Sequence, residues 1–215
     1  MEIERTTELE SVRVATALRD DIMLGRRLPG DRLIERDIAA ELQVSRLPVR
    51  EAIRQLVAEG VVVTRPRTWA VVREFSEKDL KDFAEVREAM ETLAFVLAAE
   101  RIDGDGIAQL EALVVHEEAS ALSNDVDAAY DAAAAFHMTA VHLSGNAMLI
   151  ELAESLVTRL RWLFGQHEDL GQMASAHRAI LEAMRAGDAE AMRVLIPEHL
   201  EHGRAVAEDR LRRGR

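Results

Sequence analysis

The 215-residue chain has no cysteine, which excludes disulfide bonds and thiolate metal sites and fits a reducing compartment. Lysine is nearly absent too, since Lys78 and Lys81 are the only two, so arginine carries almost all of the positive charge. No apolar stretch approaches the length that crosses a bilayer, and the acidic N-terminus, MEIERTTELE, is unlike a signal sequence. We therefore expect a cytoplasmic protein with no membrane partner.

Acidic and basic residues are unevenly distributed along the chain. Between Arg26 and Arg73, ten arginines stand against six acidic residues, which gives this segment a charge of +4, although the whole chain carries −12. A basic segment gains phosphate affinity by releasing counterions, and an acidic remainder limits non-specific contacts with nucleic acid. The charge pattern is typical of a nucleic-acid-binding segment inside an acidic protein.

The basic segment has the pattern of two short helices joined by a tight turn. A break at Leu28-Pro29-Gly30 precedes apolar residues at helical spacing, namely Ile34, Ile38, Ala39 and Leu42. Gln43-Val44 forms the turn, Ser45 can cap the second helix, and Pro48 fits only in that helix's first turn. The inner face of the second helix carries Val49, Ile53 and Leu56.

Arg46, Arg50 and Arg54 lie four residues apart on the outer face of the second helix. An arginine can form two hydrogen bonds to a guanine edge, and a helix N-terminus accepts phosphate, so this helix suits the DNA major groove. The alternative is an amphipathic helix pair whose arginines are only solvated. We favour a helix-turn-helix, with DNA contacts expected from Arg36, Ser45, Arg46, Leu47, Pro48, Arg50 and Arg54.

A β-hairpin is predicted directly after the second helix. Glu59-Gly60 ends that helix, and residues 61–64 and 69–72 are short β-rich runs around Arg65-Pro66-Arg67-Thr68. The hairpin forms a wing, and we expect Arg65 and Arg67 at its tip to contact DNA.

This segment resembles the GntR family of bacterial regulators. The shared pattern is PG-x-x-L-x-E-x-x-I-A from Pro29, VSR-x-PVREAI from Val44, and EGVV from Glu59. The resemblance implies a winged helix-turn-helix that binds double-stranded DNA. Two positions depart from the family's usual pattern: Trp69 replaces a glycine at the wing tip, and Leu47 stands where threonine is common.

The chain is predicted to be mainly α and to have two domains. Residues 1–73 form the winged helix-turn-helix domain. Its first helix runs from Thr6 or Thr7 to Leu24 and is expected to pack over the helix-turn-helix through Val12, Val14, Leu18 and Ile22. Residues 74–79 are a linker, and residues 80–215 form an all-α bundle of about six helices, separated by Gly, Ser, Asn and Asp clusters.

Three histidines and one arginine lie on apolar helix faces of the second domain. Arg87 is only 40° from Phe83 around its helix, and His137, His177 and His199 each lie within an apolar stripe of a different helix. Imidazole nitrogens bind zinc and related ions, and helical bundles build metal sites from facing helices. A metal beside an arginine would suit a small organic acid as ligand.

This second domain resembles the FCD effector domain of the FadR branch of the GntR family. The matching pieces are VREAME from Val86, Phe136-His137 with Ser144-Gly145-Asn146, HRAIL from His177, and His199-Leu200. Metal-binding members have the pattern D-x-x-F-H, whose aspartate completes an Asp-His-His-His site. This chain has Ala133 at that position. Asp131 cannot simply replace the aspartate, because it lies about 120° from His137 around the helix. Glu88 and Glu91 are possible substitutes, although Glu91 can instead pair with Arg87.

The resemblance implies an effector pocket, to which we assign Arg87, Tyr130, Asn146 and Arg159. We expect either one zinc or another divalent transition metal per chain on His137, His177 and His199, or a pocket in which these histidines are hydrogen-bonding groups. The implied function is a ligand-responsive regulator, favoured as a repressor, that binds a pseudo-palindromic operator as a homodimer. The alternatives are a metal-dependent hydrolase and a constitutive DNA binder without an effector.

Overall fold

The computed structural model describes residues 2–64, 69–164 and 169–213, with side chains described from Leu9 to Arg212 within these ranges. The predicted wing-tip contacts Arg65 and Arg67 lie outside these ranges. The chain divides into two compact units, Met1–Ser76 and Glu77–Arg215. Residues 77–79, assigned from the sequence to the linker, form the first turn of the first helix of the second unit.

The first unit combines three helices with a small antiparallel sheet. Its elements are α1 (Glu2–Met23), β1 (Arg32–Leu33), α2 (Glu35–Glu41), α3 (Arg46–Ala58), β2 (Val62–Thr64) and β3 (Ala70–Val72), and the strand order is β1-β3-β2. The predicted hairpin is confirmed as β2 and β3, while β1 is a third strand that the sequence did not reveal. Gly30 connects α1 to β1 with φ +87°, a conformation that favours glycine, and its N–H donates to the Val72 carbonyl.

The core of the first unit forms where α1 crosses α3. Val14, Leu18 and Ile22 of α1 are buried as predicted, but Val12 is 54% exposed. Val12 lies about 200° from Val14 around the helix, so the two residues cannot share one face. The prediction for Ile34 was also wrong, because it precedes α2 at the N-cap and is 40% exposed.

The second unit is an all-α bundle, and its described residues form the six helices expected. These are α4 (Glu77–Arg101), α5 (Gly104–Ser123), α6 (Val126–Leu143), α7 (Ala147–Phe164), α8 (Leu170–Arg185) and α9 (Ala189–Arg213). Side chains of Asp103, Asp125 and Asp169 cap α5, α6 and α8 by accepting a backbone N–H. Short polar segments therefore fix most of the helix boundaries, as the sequence predicted.

Two groups of apolar side chains hold the bundle together. The larger contains Phe95, Leu110, Phe136, Ile180, Met184 and Ile196 from five helices. The smaller joins α4, α6 and α7 through Met90, Ala94, Val141, Leu149 and Ala153. Among the described residues, no helix combines the length and the apolar character that crossing a membrane requires.

Candidate functional sites

The outer face of α3 presents the arginines predicted to read DNA. The exposed fractions of the side chains are 63% for Arg46, 46% for Arg50 and 68% for Arg54. The helix forms here because Val49, Ala52, Ile53 and Leu56 bury its opposite face against the unit's core. One row of guanidinium groups is thus displayed on the solvent side of a well-packed helix.

Glu35, at the start of α2, holds two of these arginines. Its carboxylate accepts two hydrogen bonds from Arg50, from Nε and Nη2 at 3.0 Å each, and one from Nη2 of Arg46 at 3.2 Å. Hydrogen bonds from Arg50, and then from Arg46, keep the pKa of Glu35 below its ordinary value. A bidentate pair of this kind fixes the direction of the guanidinium plane before any ligand arrives.

The other residues expected to contact DNA differ in exposure. The side chain of Arg36 is 82% exposed beside Asp37, and Leu47 is 52% exposed in the first turn of α3. Ser45 is the N-cap residue, but its hydroxyl makes no capping hydrogen bond, so the predicted side-chain cap is wrong. Pro48 is buried and therefore shapes the start of α3 without offering its side chain to DNA.

Trp69, the unusual residue of the wing, packs against the added strand β1. The guanidinium of Arg32 lies over the Trp69 ring, 4.0 Å from its centroid. Such a contact adds about 0.5–1 kcal/mol at an exposed site. Trp69 therefore joins the base of the wing to the segment that precedes α2.

The three histidines predicted as ligands meet in the second unit. The Nε2 atom of His177 lies 3.1 Å from the Nε2 atoms of both His137 and His199, which are themselves 3.2 Å apart. The residues come from α8, α6 and α9, and His177 is fully buried. Three helices thus direct three equivalent nitrogen atoms at one point.

Buried carboxylates lie on the other side of two of these rings. Nδ1 of His177 is 2.7 Å and 2.9 Å from the two oxygens of Glu117, and Nδ1 of His137 is 2.7 Å from Oε2 of Glu91. An Nδ1–H that donates to a carboxylate leaves the Nε2 lone pair free, and this is the tautomer that binds metals. The hydrogen bond to Glu117 therefore holds the His177 ring in place, whereas Oε2 of Glu91 lies beside Nδ1 of His137 without the geometry of a hydrogen bond.

The two carboxyl groups differ in charge state because their surroundings differ. Burial, and then the nearby charge of Glu118, raises the pKa of Glu117 to about 8. Burial alone would raise the pKa of Glu91 too, but the charge of the neighbouring Arg87 guanidinium, with the adjacent His137 ring, outweighs burial and lowers that pKa. Glu91 also accepts from Nε of Arg87 at 2.6 Å, so it links the arginine to the histidine cluster.

The spacing of the cluster fits a transition metal. Three lone pairs that face one another at 3.1–3.2 Å repel unless a cation or a proton lies between them. With Zn–N bonds of 2.0–2.1 Å, the nitrogens of a tetrahedral site are about 3.4 Å apart, close to the spacing found here. In the described part of the chain, these three histidines are the group able to hold a metal ion.

Neither a fourth ligand at position 133 nor a substitute from α4 completes the set. Ala133 is buried one turn before His137, and its methyl group offers no ligand atom. Glu91 faces Nδ1 of His137, on the far side of the ring from the cluster, and Glu88 is exposed. Asp131 forms an ion pair with Arg161 instead. The three histidines therefore leave a coordination position open.

A cavity begins at the histidines and continues between α4, α6, α7 and α8. The centres of water-sized molecules can occupy a volume of about 70 Å³ inside it, which is room for a small organic ligand or several waters. Its walls are mainly apolar, including Met90, Met138, Val141, Leu160, Phe164 and Met173. The polar groups that line it include Arg87, Glu91, Tyr130, His137, Arg161 and His177.

The residues assigned to the effector pocket separate into two groups. Arg87 and Tyr130 line the cavity, and Ala133 lines it beside them. Asn146 accepts a hydrogen bond from the Leu149 N–H at the start of α7, and Arg159 donates to the Ser155 carbonyl and lies over the Phe83 ring. Neither of these two is among the cavity residues, whereas Arg161, which we did not assign, is.

Glu117 is the main site residue that the sequence interpretation missed. A signal was present, because Leu110, Val114 and Glu117 follow helical spacing and place a carboxylate on the buried face of α5. Glu35 was noted only as part of the family pattern, and its contact with α3 depends on how α2 and α3 fold together. Of the other histidines, His116, His142 and His202 are exposed, and His167 lies outside the described residues.

Comparison with protein families and with individual proteins agrees with both units. Residues 10–72 match the family described as bacterial regulatory proteins, gntR family, and residues 82–202 match the FCD domain. A probable D-xylose utilization operon transcriptional repressor of Paenarthrobacter nicotinovorans is 32% identical over 87% of this chain and 85% of its own. The Nta operon transcriptional regulator of Aminobacter aminovorans is 32% identical over 80% of this chain and 84% of its own.

Solved structures have the same fold. A protein from Rhodococcus sp. RHA1 that is described as a putative transcriptional regulator GntR has a TM-score of 0.76 at 28% identity, covering 93% of this chain and 97% of its own. E. coli McbR/YncC has a TM-score of 0.79 at 24% identity over 94% and 98% of the two chains. Since the relatives are named as regulators, the hydrolase alternative is wrong. The chain belongs to the GntR family of bacterial regulatory proteins, as a DNA-binding transcriptional regulator with an FCD domain.

Proposed function

We propose that this protein is a repressor that binds a pseudo-palindromic operator as a homodimer and is released by a small organic acid. One observation carries the proposal: exposed, oriented arginines on α3 occur in the same chain as a cavity lined by arginine and histidine. The first is suited to reading DNA, and the second to binding an anion.

Arg46 and Arg50 are the groups that read base edges in this proposal. Glu35 orients both guanidinium groups. Each group can then hydrogen-bond to the edge of a guanine, either in place of Glu35 or in addition to it. Leu47 lies between them in sequence and offers an apolar side chain to a thymine methyl group. Arg36 and Arg54 contribute phosphate contacts, and the predicted wing contacts Arg65 and Arg67 add salt-dependent affinity.

The effector is a carboxylic acid with an apolar body. Nε of Arg87 donates a hydrogen bond to Glu91. The guanidinium carbon of Arg87 lies 5.2 Å from the centre of the Phe164 ring, and both residues line the cavity. The apolar walls exclude water, which strengthens the attraction between a carboxylate and the guanidinium. Among the relatives is the gluconate operon transcriptional repressor of Bacillus licheniformis, 26% identical; gluconate has the carboxylate of the proposed effector, although its hydroxyl-bearing chain is polar.

His137, His177 and His199 hold one zinc or related divalent metal in this proposal. The metal supplies a positive charge at the end of the cavity, and its open position accepts an oxygen ligand. Glu117 keeps the His177 ring in the ligating orientation through its hydrogen bond to Nδ1.

DNA affinity tests the first half of the proposal. The probe is a duplex that the wild-type protein selects from a random library. Each lost base contact costs about 1–3 kcal/mol, so Arg50→Ala should weaken a two-fold symmetric complex about 30-fold or more. Arg193→Ala is the matched control, because Arg193 of α9 is also exposed and paired with an acidic neighbour. Equal affinity of both variants would remove Arg50 from DNA recognition.

Thermal unfolding tests the second half. A series of small carboxylic acids is compared with the corresponding neutral amides, with and without zinc. An acid that occupies the cavity raises the melting temperature, since it binds only the folded state, whereas its amide does not. If no acid in the series raises the melting temperature more than its amide does, the assignment of an acidic effector is wrong.

A further inference from the structure

Arg32 and Trp69 form an exposed pair on the outer face of the small sheet. Leu33 of β1 pairs with Ala70 of β3, and both are buried on the inner face. Successive side chains along a strand point to opposite faces, so Arg32 and Trp69 share the outer face. They are diagonal neighbours across two antiparallel strands, a separation that long and aromatic side chains can bridge. The guanidinium carbon of Arg32 accordingly lies 4.0 Å from the centre of the Trp69 ring.

The positive charge of Arg32 is not matched by an ion pair. Its guanidinium forms neither an ion pair nor a hydrogen bond with any residue that the structure describes. Three acidic residues line the same surface cleft as Arg32, but each has another partner. Asp31 accepts a backbone N–H, and Asp21 and Glu41 both bind Arg27. The N–H groups of Arg32 are therefore available to an anionic ligand.

Trp69 adds a second donor and a flat support. The residue is 40% exposed, and its indole N–H, which can only donate, makes no hydrogen bond with a described residue. A guanidinium that stacks on an aromatic ring is held with its plane in a defined orientation. The pair thus combines one fixed positive charge with N–H donors from two side chains, an arrangement that suits the several acceptor oxygens of a phosphate.

The pair lies close to the arginines of α3. Glu35, three residues after Arg32, hydrogen-bonds to Arg46 and Arg50 on the outer face of α3. Three residues of chain span at most about 10 Å, so Arg32 lies within that distance of Glu35. The major groove is about 12 Å wide, and a phosphate backbone borders it on each side of a helix that lies in it. Arg32 is therefore placed to meet a bordering phosphate when α3 contacts base edges.

We propose that Arg32 and Trp69 form a phosphate-binding site for the DNA backbone that borders the groove read by α3. This inference rests on the DNA binding of the proposed function and adds to it a contact made by the sheet. The guanidinium neutralises one phosphate, and the indole N–H donates a further hydrogen bond to the same backbone. Contacts to phosphate fix the position of a protein on the duplex without reading its sequence. The site therefore strengthens binding to any duplex.

The salt dependence of DNA binding tests the charge of Arg32. The slope of log affinity against log salt should fall by about 0.9 per lost phosphate contact, hence by about 1.8 for Arg32→Gln in a two-fold symmetric complex. Raising the salt concentration fourfold should then cost the wild type about tenfold more affinity than it costs the variant. Arg193→Gln on α9 changes the net charge equally and is the control, because Arg193 is exposed and paired with Glu190. Equal slopes for the two variants would overturn the proposal.

A second duplex of the same length and scrambled sequence tests whether the contact is to the backbone. Arg32→Gln should weaken binding to the selected duplex and to the scrambled duplex by the same factor, since both carry the same phosphates. Arg50→Ala, in contrast, should weaken binding to the selected duplex more. If Arg32→Gln weakens binding to the selected duplex alone, Arg32 reads bases and the phosphate site is wrong.

A combined variant separates a direct contact from an effect on the wing. Arg32→Gln is measured in the wild type and in a chain that already carries Arg65→Ala and Arg67→Ala. A phosphate contact of its own gives the same loss of slope in both backgrounds, because independent contacts add. If Arg32 acted only by supporting the two wing arginines, the substitution would change nothing in the second background. That result would contradict the proposal.

Variants of Trp69 test the aromatic support. Trp69→Gly removes the ring and the indole N–H, and should weaken the two-fold symmetric complex about fivefold to thirtyfold. Trp69→Phe keeps an aromatic face beneath Arg32 and should weaken the complex less. Circular dichroism and thermal unfolding check that each variant keeps its fold. Equal affinity of the wild type and Trp69→Gly would remove Trp69 from the site.

The outcomes separate this inference from the proposed function. If the wild type selects a duplex and Arg50→Ala weakens binding, but Arg32→Gln leaves the salt slope unchanged, the operator-binding function stands and the phosphate site is wrong. If the wild type binds no duplex, both are wrong. If Arg32→Gln lowers the slope but no duplex is preferred over its scrambled form, the phosphate site is supported and recognition of a specific operator fails.

Discussion

Replacing Glu117 with glutamine tests the metal site most directly. Glu117 is fully buried, and both of its oxygens lie within 2.9 Å of Nδ1 of His177. With zinc on Nε2, the ring must carry its proton on Nδ1 and donate it to Glu117. In the metal-bound state Glu117 would accept this proton as a carboxylate. Glu117→Gln keeps the size of the side chain but cannot take up that negative charge.

The expected loss follows from the outer-shell position of Glu117. Removing such a partner of a ligating histidine costs about 10–100-fold in metal affinity, which corresponds to about 1.4–2.7 kcal/mol. Metal-free stability should change little. Because the pKa of Glu117 is raised to about 8, its carboxyl group is largely protonated at pH 7, and a neutral amide has nearly the same shape and charge.

The assay is zinc titration against a chelator of known affinity, with thermal unfolding of the metal-free protein in parallel. Glu190→Gln is the control, because Glu190 pairs with Arg193 at 3.2 Å and contacts neither Glu117 nor a histidine of the cluster. We expect the zinc affinity to fall only for Glu117→Gln. Equal zinc affinity in the two variants would refute the role of Glu117, and no zinc binding by the wild type would refute the metal site itself.

Three further predictions follow from other contacts. Ala133→Asp adds a carboxylate one turn before His137 and should tighten zinc binding, so unchanged affinity would mean that position 133 does not reach the metal. Gly106→Ala should destabilise the protein by about 1–3 kcal/mol in chemical unfolding, because its new Cβ would lie 2.9 Å from side-chain atoms of Ile102 and Leu143. Gly104→Ala, which meets nothing within 4 Å, is the control and should be neutral or slightly stabilising. Arg178→Gln should lower the melting temperature at pH 7 but not at low pH: hydrogen bonds from Arg178 lower the pKa of Glu111 and Glu118, so this stabilisation is present above their ordinary pKa of 4.5 and is lost as the pH falls below it. A gap between wild type and variant that is the same at pH 7 and at low pH would contradict this assignment.

Local sequence signals were sufficient for most of the fold. The Pro29-Gly30 break, the buried face of α3 and the short polar helix caps are properties of neighbouring residues, so periodicity and capping chemistry reveal them. The same signals fail where two residues compete for one boundary. Ile34 fits the apolar spacing of α2 but lies before its first turn, and β1 is too short to leave a pattern.

The candidate site shows the same division between local and long-range information. The sequence by itself determined which groups can carry chemistry: arginines on an outer helix face, and three histidines and Arg87 on inner faces. Only the tertiary structure decided that the three Nε2 atoms meet at 3.1–3.2 Å, that Glu117, sixty residues before His177, faces its Nδ1 atom, and that Asn146 and Arg159 do not line the cavity. Helical periodicity fixes the direction of a side chain around its own axis, but the distance between side chains on different helices depends on how those helices pack.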